Sequence, residues 1–160
     1  MSDRRAASAL AYRSHGVQRA LEFVTLASAS CFAGGALYVS LVEHPARLAD
    51  EPRSALVQFR HSYARAAPWQ GITALLALAA GVSATALGSS WLWAAGGGLV
   101  GSAVPLTLIV ILPTNNRLLA EPPPAASDAR ELLQRWSRLH AIRATVGAAG
   151  LLMLICEVVL

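Results

Sequence analysis

Pro105-Leu-Thr-Leu-Ile-Val-Ile-Leu-Pro113-Thr-Asn-Asn-Arg-Leu118 carries an apolar run into a proline, two amides and an arginine. Proline has no N–H and disfavours the helical region for the residue before it. The stretch therefore predicts a membrane helix that stops near Leu112. Thr114, Asn115, Asn116 and Arg117 would then stand where hydrocarbon gives way to water. Taken alone, they are ordinary turn residues that cap a helix and begin a loop. The stretch gains weight because nearly every other unusual polar residue of the chain can be placed at the same membrane level.

The 160 residues are 55% hydrophobic and 14% charged, whereas a water-soluble domain is about 25% charged. Four stretches are long enough to cross a bilayer, which takes about 20 apolar residues: 20–42, 70–88, 91–112 and 141–160. The fold class expected is all-α, an integral membrane antiparallel four-helix bundle, as one domain over 20–160 preceded by a polar, basic segment, 1–19. The net charge of +4 comes from arginine alone. These arginines are scattered and not interleaved with aromatics, so no nucleic-acid partner is expected. The partners expected are the lipid bilayer and a lipophilic small molecule, and a homo-oligomer is left open. Cys31 lies mid-way along the first span and Cys156 near the end of the last, at depths that argue against a disulfide. The apolar run after the basic segment exceeds the about 7–15 residues of a signal-peptide core, so it is read as an uncleaved span. Arg4-Arg5 lacks the rest of a twin-arginine signal.

Along the chain, Glu22 lies three residues after Arg19, and a local ion pair is its plain explanation. Pro45, in Glu43-His44-Pro45-Ala46-Arg47, is read as the stop of the first span. Within 48–68, Leu56, Phe59 and Tyr63 recur at helical spacing, which predicts a short interfacial helix from Arg53 to Arg65. Pro68-Trp69 marks entry to the second span. Gly88-Ser89-Ser90 is a tight link, so spans two and three form a hairpin. Gly97-x-x-x-Gly101 is a small-residue packing pattern. Pro105 is expected to kink the third span, with Thr107 able to satisfy freed backbone. After the proline-rich linker 121–126, Ser127-Asp128 opens a helix with Glu131 in the capping role. That helix runs into the fourth span.

Four spans put both long loops at one end, and the polar residues gather there. Glu43, His44 and Arg47 leave span one. His61, Tyr63 and Trp69 approach span two. Asn115, Asn116 and Arg117 leave span three, and Trp136, His140 and Arg143 enter span four. The last three follow i, i+4, i+7 spacing and share a helix face. Glu43 and Arg47 are expected as a structural ion pair. Arg143 needs a partner if it turns inward, and Glu43 or Asn116 is the candidate; the plainer alternative is that it reaches out to lipid phosphates. His44, His140 and His61 have the donor type for a transition metal, but their spacings match no compact metal motif. No metal ligand is assigned, and a metal is kept open. His140 begins the fourth span, where the helix N-terminus favours a neutral, proton-accepting ring, so it is the first choice as general base. His44 ends the first span and is assigned an electrostatic role.

Three motifs, His44-Pro45-x-Arg47, the Pro105 to Leu118 stretch, and Trp136-x-x-x-His140-x-x-Arg143, resemble the anthrone oxygenase-like family of small four-helix membrane proteins. The resemblance covers most of residues 20–160 and leaves out the first 19 residues and the proline-rich linker. Fungal members are linked to oxidation of anthrones to anthraquinones with molecular oxygen. The resemblance implies a membrane-embedded oxygenase or oxidoreductase acting on a flat, apolar phenolic or anthrone-like molecule. Such chemistry needs a base to form an enolate and donors for its oxyanion. His140, His44, Asn115 and Arg143 are the catalytic candidates; Trp136, Trp69, Tyr63 and Asn116 are the substrate-binding candidates. No flavin, haem or nicotinamide motif is visible, and no organic cofactor is expected. The alternative is a non-enzymatic membrane protein: a lipid-, quinone- or metal-binding carrier, or a partner subunit. The long-loop end holds nine arginines against four at the other end. Positive-inside then places the long loops in the cytoplasm of a bacterial-type inner membrane.

Overall fold

A computed structural model describes residues 2–160, with side chains from residue 14 onward. Arg4, Arg5 and Arg13, which entered the charge count, therefore have side chains outside the described set. Among the described residues there is helix and no strand. In chain order, α1 is Ser2–Tyr38, α2 His44–Ala49, α3 Pro52–Ala86, α4 Trp91–Gly101, α5 Ala103–Leu106, α6 Leu112–Leu118 and α7 Ala126–Val159. Two π-helical turns, Val39–Glu43 and Thr107–Ile111, join α1 to α2 and α5 to α6. The result is four rods, Ser14–Ala49, Pro52–Ala86, Trp91–Leu118 and Ala126–Val159, each long and apolar enough to cross a membrane. Their outer faces expose Phe23, Leu41, Val57, Ile72, Ile109 and Leu152, as lipid rather than water would require. The protein is an integral membrane four-helix bundle.

The rods pack as a square. α1 lies against α3 and α7, α4 lies against the same two, and the diagonal contacts are sparse. The α3–α4 link is built by its own residues. Gly88 has φ +103°, a conformation open chiefly to glycine. There the Ser89 N–H reaches the Ala84 carbonyl and the Gly88 N–H reaches Thr85, at 3.0 Å each, the paired bonds of a Schellman stop. Ser90 then caps α4 by accepting from the Leu92 N–H at 3.3 Å. Ser89 also donates to Glu22 at 2.7 Å, so Glu22 ties α1 to this link. No Arg19–Glu22 pair forms among the described residues. Gly97 and Gly101 face α3: an added Cβ would lie 2.5 Å from the Ala77 carbonyl oxygen and 2.7 Å from the Leu78 Cβ, respectively. Cys31 and Cys156 are exposed free thiols.

The helix ends depart from the sequence reading. Neither Pro45 nor Pro113 stops a helix. Each is the second residue after a π turn, where the His44 N–H bonds back to Val39 and the Leu112 N–H to Thr107. In an α-helix a proline ring collides with the carbonyl four residues earlier; the wider turn relieves this and lets the helix go on. The third rod accordingly runs to Leu118. Upstream of Thr107, the α-helix is interrupted at Ser102, between α4 and α5. The segment 53–65 is no separate interfacial helix, because α3 begins at Pro52 and continues through Pro68. α7 opens at Ala126 behind Ala125, with no side-chain cap. Ser127 donates to Asp128 at 3.2 Å instead, so the Glu131 capping box does not form.

A 35-residue helix such as α3 is about 52 Å long, against about 30 Å of hydrocarbon. The extra length is mostly at the long-loop end, which is a packed helical layer. Two arginines close it. Arg60 donates to the Leu118 and Ala120 carbonyls at 3.0 and 2.6 Å and pairs with Glu121. Arg130 donates to the Leu48 and Asp50 carbonyls at 3.2 Å each. Each satisfies carbonyls at a helix C-terminus, where cations are favoured. They also bind the two long connections to each other's neighbours, at the same end of the bundle. Two hydrophobic cores result. One, nearer the termini, holds Phe32, Ala77, Val100 and Leu154. The other, in the helical layer, holds Phe59, Ile111, Leu133 and Trp136.

Candidate active site

Between the two cores lies a cavity of about 240 Å³. Phe32, Ala74 and Ala103 reach it from the lower core, and Phe59, Ile111 and Trp136 from the upper. Its α3 wall is made of small residues, Ala66, Ala67 and Gly71, flanking Pro68, which leaves the Ala64 carbonyl without its usual donor. The polar groups on the wall are Glu43, Arg47, Ser62, Tyr63, Gln70, Thr107, Asn115, His140 and Arg143. All four rods contribute.

One chain of hydrogen bonds has a fixed direction. The Trp136 indole N–H donates to Asn115 Oδ1 at 2.9 Å, and Asn115 Nδ2 donates to the Tyr63 hydroxyl at 2.9 Å. Indole has a donor only, so the amide orientation is settled. The Tyr63 oxygen is thereby an acceptor within the network, and its own proton is left for the cavity. The chain joins α7, α6 and α3.

The second network centres on Arg143. It donates to Gln70 Oε1, to Thr107 Oγ1 at 3.3 Å and to His140 Nε2 at 3.0 Å. Its guanidinium carbon lies 5.6 Å from the Phe32 ring centroid, within cation–π range. A guanidinium only donates, so His140 Nε2 accepts and its Nδ1–H faces Ser40 Oγ at 2.9 Å. The imidazole is neutral in this arrangement. The third network is parallel. Arg47 donates to His44 Nδ1 at 2.9 Å, and His44 Nε2 donates to the Leu133 carbonyl at 3.0 Å. Arg47 also pairs with Glu43 and donates to Ser62 at 2.8 Å. Trp136 stands between the two histidines, with ring centroids 4.9 Å from His44 and 4.5 Å from His140.

Several expected placements change. Arg143 is held by Gln70, Thr107 and His140, and by neither Glu43 nor Asn116. Glu43 is taken by its i+4 neighbour Arg47, which is 1% exposed and the closer cation. Asn116 and Arg117 are exposed, because the α-helical continuation past Pro113 turns successive residues to different faces. Trp69 is 58% exposed and does not line the cavity. His61 is exposed as well. His44 is buried behind Trp136 rather than on the wall. Neither histidine is at a helix end: α7 begins well before His140, and the first rod continues beyond His44. The helix-terminus argument for their protonation therefore lapses, and the arginine hydrogen bonds decide it. Among the described residues no three His, Cys, Asp or Glu side chains converge as a metal-binding group. Sequence reasoning missed Gln70, Thr107 as an Arg143 partner, Ser40, Ser62 and Phe32. Gln70 had a signal: it is an amide inside an apolar span, and such residues usually face the bundle interior.

A family model described as anthrone oxygenase matches residues 59–153. No curated protein and no solved structure matches the chain. The matched residues hold Tyr63, Gln70, Thr107, Asn115, Trp136, His140 and Arg143, while Glu43, His44 and Arg47 lie outside them. With more than half of its length matched, including most of the polar wall of the cavity, the chain belongs to the anthrone oxygenase family.

Proposed function

We propose that this protein is a membrane-embedded oxygenase that takes a flat, apolar, anthrone-like or phenolic molecule into the cavity between the two cores. The observation that carries the reading is the two-sided wall. Phe32, Phe59, Ile111 and the small residues of α3 offer an apolar slot, while the Tyr63 hydroxyl and the Arg143 guanidinium converge as donors. The volume is slightly below the about 300–1,000 Å³ of common ligand pockets, which suits a compact planar ligand. Family membership supports oxygenase-type chemistry.

In the proposed reaction the substrate carbonyl oxygen lies against Tyr63 and Arg143. His140 Nε2 takes a proton from the ring methylene. The bound carbonyl oxygen competes with His140 Nε2 for the Arg143 guanidinium, which frees the Nε2 lone pair for that transfer, and the same guanidinium then holds the oxyanion that forms. Donors placed where charge develops lower the barrier to the enolate. The electron-rich carbon then reacts with oxygen. Conversion of CH2 to C=O removes four electrons and two hydrogens from that carbon. One oxygen atom enters the product and the other leaves as water, so no external reductant is needed. Asn115 and Trp136 orient Tyr63, and His44 supports the Trp136 ring from its far side.

Oxygen uptake by the protein in lipid nanodiscs supplied with anthrone tests the reading. Uptake above the rate of empty discs, with one equivalent of anthraquinone per oxygen consumed, is expected. His140→Ala should abolish it while the helical content stays unchanged. Uptake equal to empty discs, or undiminished in folded His140→Ala, overturns the proposal. One observation favours a second reading, a quinone- or lipid-binding protein without turnover: both nitrogens of both histidines already have partners. Tight binding of anthraquinone without oxygen uptake would select that reading.

A further inference from the structure

The charges around the cavity do not balance. Glu43 is committed to Arg47. The groups facing Arg143 are Tyr63 and Gln70 on α3, Thr107 on the third rod, Phe32 on the first and His140 on its own helix. His140 is neutral by its hydrogen bonds, and so is His44 behind it. The ion pairs among the described residues are Arg47–Glu43 and Arg60–Glu121. Arg143 thus has three neutral acceptors and no carboxylate partner of its own, because Glu43 on the same cavity wall is paired with Arg47. Its Nε is buried without a partner. Removing a guanidinium from water without a counter-charge is costly.

We infer that the ligand itself supplies the missing charge: the cavity binds lipophilic anions, planar aromatic bodies that carry an ionised oxygen as phenolate, enolate or carboxylate. The inference rests on the cavity of the proposed function and narrows its substrate class. The bound anion supplies the counter-charge to Arg143, while Phe32 and the small residues of α3 receive the ring. Gln70 is the specificity-setting residue. It holds the guanidinium with a neutral amide oxygen, where a carboxylate of nearly the same shape would satisfy the charge from within and leave nothing for a ligand to neutralise.

A charge series on one ring system tests this at a single pH. 9-Anthracenecarboxylate and 9-anthracenemethanol share a three-ring body and differ in charge. Their binding to the protein in phosphatidylcholine nanodiscs is read by energy transfer from tryptophan, each corrected for partition into empty discs. The carboxylate should bind at least about tenfold more tightly than the alcohol in the wild-type protein, a gap of about 1.4 kcal/mol. Gln70→Glu should reduce that ratio to near one with the fold intact, and Arg143→Lys should keep a preference for the anion. If Gln70→Glu does not fold, Arg143→Gln takes its place with the same expected loss. Equal binding of the two ligands by the wild type, no binding of either, or a preference that survives in both neutralising variants overturns the inference. Oxygen uptake from anthrone is measured on the same samples. Turnover without charge preference overturns this inference alone, and charge preference without turnover overturns the oxygenase alone.

Discussion

Replacing Asn115 by leucine isolates the bond chain that aims Tyr63. Asn115 is 1% exposed and Trp136 6%, so neither end of the 2.9 Å indole–amide bond can turn to water. Asn115→Leu keeps the branched shape and leaves the Trp136 N–H unsatisfied, at a cost of about 1–3 kcal/mol. Trp136→Phe leaves Asn115 Oδ1 unsatisfied at a similar about 1–3 kcal/mol, with lost packing against Phe59, His44 and His140. The double variant has no orphaned partner at this bond, so its destabilisation should fall short of the sum. Interhelical hydrogen bonds in bilayers couple by about 0.6 kcal/mol on average and about 1.7 at most. This one is buried at both ends and continues into a second bond, which places the expected coupling near 1 kcal/mol. Unfolding in SDS-containing mixed micelles, followed by circular dichroism on the four members of the cycle, gives the coupling directly. A value below about 0.4 kcal/mol, indistinguishable from additivity, would refute the claim that the pair acts as one unit. Asn115→Leu should also weaken binding of 9-anthracenecarboxylate, because Tyr63 loses its orienting donor.

Three other outcomes are expected. Glu43→Gln strands the guanidinium of Arg47, which is 1% exposed; with Glu43 itself 27% exposed, the cost should be about 2–3 kcal/mol, below the full value of a wholly buried pair. Adding Arg47→Met should recover part of that in the same micelle titration. Gly97→Ala drives a methyl to 2.5 Å from the Ala77 carbonyl oxygen and should cost about 1–3 kcal/mol. Gly98→Ala meets nothing within 4 Å and should stabilise by about 0.5–1 kcal/mol, so equal midpoints for the two would contradict the packing described. The arginine excess at the long-loop end predicts that those loops face the cytoplasm, so a reporter that works only outside the cytoplasm should be active when fused after Leu160, and activity of a cytoplasm-only reporter there would reverse the orientation.

The sequence made the bundle legible because long apolar runs have few alternatives in a membrane. The gathering of polar residues was legible too: Asn115, Trp136, His140 and Arg143 all line one cavity. Partner choice was not legible. Glu43 has Arg47 one turn along its own rod and Arg143 on another. Only the rotation of each rod decides between them, and that rotation depends on turns the sequence does not announce. Pro45 and Pro113 read as stops because proline is a stop in a regular helix; whether a π turn rescues it depends on packing in the layer above. Gln70 and Ser40 belong to no motif, and Thr107, inside the Pro105 to Leu118 stretch, was read only as a partner for freed backbone. Their importance comes from being the acceptors or donors that happen to lie opposite Arg143 and His140.

The π turns before His44 and Leu112 also change how related chains should be aligned. Each turn holds one residue more than an α-helical turn would, and one residue is about 100° of azimuth. A helical wheel drawn from Thr25 to Arg47, or from Gly97 to Asn115, therefore misplaces everything past the turn by that angle. A relative one residue shorter within 39–43 would close the turn into a regular α-helix and keep the equivalents of His44 and Arg47 on the same faces. In such a comparison a single gap ahead of the His-Pro or Leu-Pro pair carries more meaning than several substitutions around it.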